Sequence, residues 1–134
     1  MVGEPKMKKF HLHAYSYLIE NQKLMRDLIL NYLFKSYPGL QEKYGYDDDE
    51  KSLFMPDLES KEELKQLIGI SELHIMNVEK NDMAYVGYQF KCKWDTGHGI
   101  GFMTHGNKIV DFGGGSVSFL TWVARKDLER KEEH

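Results

Sequence analysis

The chain is poor in the features that would narrow its function quickly. It has a single cysteine in 134 residues, which rules out an intramolecular disulfide and any cysteine-based zinc framework. No apolar run approaches the ~20 residues needed to span a bilayer as a helix. The first residues, MVGEPKMKKFHLHAYS, lack the continuous apolar core of a secretory signal. Charge of one sign is also scarce: a net −3 and a pI near 6.1 give no general attraction to nucleic acid or to an anionic membrane. Repeats and Pro-, Gly- or Ser-rich linkers are missing, so one domain over 1–134 is expected, with residues 1–9 and 125–134 as loose tails, the second a frayed helix or disordered. A reduced, cytoplasmic setting follows from the same absences. No cofactor or metal is expected.

What is present reads as helices followed by strands. Tyr15, Leu18, Met25, Leu28, Ile29, Tyr32 and Leu33 recur at spacings of three and four, predicting a helix over 12–37 that Pro38-Gly39 stops. Ser60 and Glu63 form a capping box ahead of Leu64, Leu67 and Ile68, predicting a second helix over 60–68 that ends at Gly69. Between them, 40–57 shows no clean period. Its acidic run, Asp47–Glu50, lacks the alternating ligands, central glycine and distal glutamate of a calcium loop and reads as a solvated loop or helix end.

Beyond Gly69 the period falls to two. A strand at 70–78 precedes a turn at Glu79–Asp82 and the most regular strand of the chain. There Val86, Tyr88, Phe90, Cys92 and Trp94 point to the helices, and Tyr85, Gly87, Gln89, Lys91 and Lys93 point away. Ile100–Thr104 and Lys108–Phe112 make a hairpin about His105-Gly106-Asn107. Val117, Phe119, Thr121 and Val123 alternate as a last strand. The expected fold is α+β, a meandering antiparallel sheet of about five strands (70–123) with the helices on one face.

Chemistry-bearing residues gather in the knuckle Trp94-Asp95-Thr96-Gly97-His98-Gly99. Asp95 and His98 stand three apart, which allows a carboxylate–imidazole bond that orients a general base. The same spacing allows a turn lock, with Asp95 accepting backbone N–H groups. His98 and His105 are separated by about 20 Å of strand and cannot share a metal. The hairpin is expected to bring Asp111, with Ser116, back toward His98. The glycine runs 97–101 and 113–116 are followed by no Gly-Lys-Ser/Thr and do not cradle phosphate. Tyr85, Gln89 and Lys91, with Lys93, form a mixed outer face suited to a protein partner, with Trp94 and Asp111 as further contact candidates. His11 and His13 read as surface residues, and buried Cys92 as a small apolar group.

The segments LIENQKLMRDLILNYLFKSYPGL, MPDLESKEELKQLIGI and AYVGYQFKCKWDTGHGIGFMTHGNKIVDFGGGSVSF resemble an uncharacterised bacterial domain family of unknown function with the signature YVGY-x-F-x-C-x-WD-x-EHG. The resemblance covers roughly Leu12 to Phe119. It implies a bacterial source and, through the gene neighbourhoods of some relatives, an interaction- or immunity-type role, but no activity. Gly97 stands where the signature has Glu, so a Glu-His pair is lost here. Three functions follow: a small interaction module that binds another protein, a hydrolase using Asp95 and His98, and a structural domain that pairs its edge strand with a second copy as a homodimer.

Overall fold

The computed structural model describes residues 7–132. In chain order it contains α1 (Lys9–Glu20), α2 (Gln22–Tyr44), α3 (Asp48–Phe54), a first 3₁₀ turn (Lys61–Gln66), β1 (Ile68–Lys80), β2 (Met83–Cys92), β3 (Ile100–His105), β4 (Lys108–Gly113), a second 3₁₀ turn (Gly115–Ser118) and α4 (Thr121–Glu132). The strands form one antiparallel sheet in the order β1-β2-β3-β4. The class is α+β and the sheet a meander, with four strands rather than five.

The helical segment differs from the single helix predicted over 12–37. Asn21 breaks it at φ −125, ψ 29, and both its backbone N–H and its side-chain amide donate to the Tyr17 carbonyl. Pro38 does not stop α2, which continues to Tyr44 and ends at Gly45 in the left-handed conformation. A proline inside a helix costs about 3 kcal/mol, and tertiary anchors on either side of it offset that cost. The Tyr37 hydroxyl donates to the Pro56 carbonyl, and Gln41 Nε2 donates to Met55 O and Asp57 Oδ1. The acidic run is a helix end: Asp47 caps α3 by accepting from the Glu50 N–H at 3.1 Å, and Asp48, Asp49 and Glu50 fill the first turn, where carboxylates complement the dipole. The Ser60–Glu63 cap also forms, with Glu63 Oε1 accepting from the N–H groups of Glu59 and Ser60. It opens a 3₁₀ turn rather than an α-helix, and Gly69 belongs to β1.

The sheet has two covered faces. On one, Val86, Tyr88, Cys92 and Trp94 pack with Leu33, Tyr37 and Leu64 from the helices, as the alternation of β2 predicts. On the other, Tyr85, Met76, Val78 and Met103 pack under Val123 and Ala124 of α4. The expected last strand is therefore the second 3₁₀ turn and the start of α4, and the helix runs on over 125–132. Val123, Ala124, Asp127 and Leu128 recur at helical spacing, and the apolar outer face of β2–β3 gives that stripe something to cover. Residues 1–6, 133 and 134, included in the expected tails, lie outside the described residues.

Candidate functional site

The knuckle hangs between β2 and β3 and is held from α2 and the segment after it. Tyr46 OH donates to the Trp94 carbonyl at 2.6 Å, and Tyr44 OH donates to Asp95 Oδ2 at 2.7 Å. The other carboxylate oxygen, Oδ1, accepts from the His98 backbone N–H at 3.0 Å and lies 3.1 Å from His98 Nδ1. The turn lock and the carboxylate–imidazole pair are thus one arrangement sharing one oxygen. The Tyr44 hydrogen bond, followed by the bonds from His98, holds the Asp95 carboxyl below the usual carboxylate range. Burial, and then the Asp95 bond, pushes the Tyr44 phenol up.

Asp95 is largely enclosed and His98 is open, their side chains 17% and 83% exposed. With Nδ1–H committed to Asp95, Nε2 faces solvent beside a shallow hollow of about 460 Å³ bordered by Tyr44, Tyr46, Phe54 and Lys93. The arrangement can hold a neutral imidazole in one tautomer and accept a proton at Nε2. Thr96 shares the turn and the hollow, but among the described residues no Ser, Thr or Cys side chain hydrogen-bonds the His98 ring. Cys92 is buried with Sγ 3.6 Å from the Asp95 carbonyl, and burial pushes its thiol up to about 11. A Cβ at Gly97 would meet nothing within 4 Å, so the turn has open space at that position.

The remaining candidates are dispersed. Trp94 is 1% exposed, stands edge-on to Tyr37 and belongs to the core. Tyr85 is fully buried under α4, where its hydroxyl donates to Asp127 Oδ2 at 2.7 Å. The outer face of β2 is thus covered by α4 along this part. Gln89 is half-buried near His74, while Lys91 and Lys93 are exposed. Asp111 pairs across from Met103 and accepts from the Phe112 N–H, and the segment that reaches His98 is Gly115, whose N–H donates to the His98 carbonyl. His105 Nε2 lies 2.9 and 3.1 Å from the carbonyls of Lys80 and Met83, closing the other end of the sheet. Among the described residues no group of three or more His, Cys, Asp or Glu is placed to hold a metal.

A second concavity was not read from the sequence. A cleft of about 560 Å³ opens where α1 meets α2 above the free side of β1. Tyr88 and Phe90 of β2 lie at its base, with Met25, Ile29 and Leu30 of α2 on one wall and β1 on the other. Ile70 and Leu73 have an odd spacing for one face of a strand. A register shift between Ile70 and Glu72 sets Ile70 opposite Phe90 and Leu73 opposite Tyr88, so both join the helix-facing side. The helices do not cover them: Ile70, Leu73, Tyr15 and Ile19 are each about half exposed, at 58, 49, 51 and 53%. That three-residue step from Ile70 to Leu73 was the available signal.

The described helices include none long and apolar enough to cross a membrane. No curated protein and no solved structure matches the chain. The model of the domain of unknown function DUF6985 matches residues 2–119, most of the chain, and the protein belongs to that family.

Proposed function

We propose that the protein works by binding, as a small bacterial interaction module of the cytoplasm, and that the cleft between α1, α2 and β1 is its recognition surface. The observation that carries this reading is the apolar collar. Tyr15, Ile19, Ile70 and Leu73 surround a concavity lined by further apolar side chains, and about half of each stays in water. Isolated exposed apolar residues need no explanation, but a contiguous set around a cleft marks an interaction site. A protein partner would have to present a convex apolar group to fill it.

The test is comparative. Wild type and Leu73→Glu serve as baits in extract of the native host; wild type should retain a stoichiometric partner that the variant loses. The same proteins on both baits would remove the cleft from recognition.

The exposed Nε2 of His98, with Nδ1 anchored on Asp95, favours a second reading as a hydrolase that uses the pair as a general base. On the binding reading, wild type does not turn over p-nitrophenyl acetate or bis(p-nitrophenyl) phosphate, and His98→Ala changes nothing measurable in either assay. Turnover by wild type that disappears in His98→Ala would establish the hydrolase instead.

A further inference from the structure

The cleft is more specific than an apolar depression, because the charged residues that line it are of one sign. Gln22 and Arg26, four apart on α2, share a helix face at its rim, and Lys65 stands there from the first 3₁₀ turn. No Asp or Glu lines it. Lys65 pairs with Glu62, whose carboxylate also feels Arg26 at longer range, and Arg26 has no ion pair within 4 Å among the described residues. Two cations and one carboxylate leave a positive mouth above an apolar interior. The volume falls within the roughly 300–1,000 Å³ of small-molecule sites. The bulge near Ser71 turns Ile70 and Leu73 onto this wall, and bulges recur beside functional sites because they re-aim side chains.

From volume, lining and charge together we infer that the cleft binds a small amphiphilic anion: an unbranched apolar chain with a terminal carboxylate, chain inward and carboxylate at Arg26 and Lys65. This rests on the cleft being the recognition surface and names what fills it, a free small molecule in place of a partner's side chain.

Calorimetric titration of the full chain with octanoate, decanoate, decanol and decyltrimethylammonium, each below its micellar concentration, tests it. Decanoate should bind at one per chain, about tenfold tighter than octanoate, since two methylenes are added to the buried chain. Decanol and the cation should bind more weakly. Arg26→Glu should weaken decanoate about fivefold and leave decanol unchanged. Leu73→Glu and Ile70→Glu, both at half-exposed positions, should weaken decanoate and decanol alike, with circular dichroism confirming that each variant is folded. If decanol or the cation binds as tightly as decanoate, or Arg26→Glu affects decanoate and decanol equally, the anionic class is wrong and the cleft survives as a recognition surface. If none of the chains binds, the small-molecule occupant is wrong and the protein-partner reading stands on its own bait test; if binding persists in both wall variants, the chains sit elsewhere and the inference falls.

Discussion

Asp95 accepts from Tyr44 OH on one oxygen and from His98 N–H on the other, with the His98 ring beside it. A carboxylate so bonded is favoured in its charged form, which is why its pKa lies below the ordinary range. The sign of the linkage follows. Its contribution is fully present above the unfolded value of about 3.9 and is lost as pH falls through the lower folded value. Tyr44→Phe removes the largest cause, so the Asp95 carboxyl resonance should titrate closer to the ordinary range, and urea unfolding at pH 7 should show a loss of about 1–2 kcal/mol. The difference between wild type and variant should shrink once the pH is below the folded value; a constant gap would mean that Asp95 is not the group responsible. The Asp95–His98 pair was legible in the sequence because three residues of separation are local geometry. Tyr44, 51 residues away, was not, since nothing in a sequence announces which distant hydroxyl will reach a turn. Glycines divide in the same way. A Cβ on Gly87 would lie 1.5 Å from the Ser118 carbonyl oxygen, which is backbone and cannot swing aside. Gly87→Ala should cost about 3 kcal/mol or more in denaturant unfolding, whereas Gly97→Ala, in open space, should stay within about 0.5 kcal/mol.

At the scale of elements, the elements that local chemistry specifies were readable: the capping pair and the two tight hairpins. The β1–β2 turn puts Asn81 and Asp82 at φ 55 and 61, residue types that tolerate the left-handed region, and the second hairpin uses Gly106 at φ 57. The misread elements depend on what they pack against. Val117 to Val123 alternates by chance over one short stretch, and the turn-and-helix outcome is decided by the apolar outer face it must cover. Asp127 fixes α4 to that face through Tyr85, with Lys108 Nζ 3.8 Å from its other oxygen. Because both partners are buried, Asp127→Ala should strand the Tyr85 hydroxyl and cost about 2–3 kcal/mol. Tyr85→Phe should also destabilise, and the double variant should cost clearly less than the sum of the two. Additive losses in a denaturant-based cycle would show that the pair does not act as a unit.

At the scale of the whole molecule, the region matched by the family model ends at residue 119, before α4 begins, yet α4 completes the cover of the second core cluster. Ending the chain after Leu120 should uncover Tyr85 and Met103 and abolish a single cooperative unfolding transition; retention of the full-length melting midpoint would contradict the role given to α4. The cleft escaped sequence reading for a related reason, since it arises from where the α1–α2 break leaves β1 uncovered and no single segment encodes it. The order of elements along the chain also bears on synthesis. The helices come first, and α1 reaches across to the β1–β2 turn, with His13 Nδ1 2.7 Å from the Asp82 carbonyl. At about 5–20 residues per second, the stretch from the end of α2 to the end of β2 takes several seconds to emerge. For that interval the apolar faces of α1 and α2 have no sheet to rest on, so a nascent chain of this topology is exposed to holdase capture from its first helix until β2 arrives.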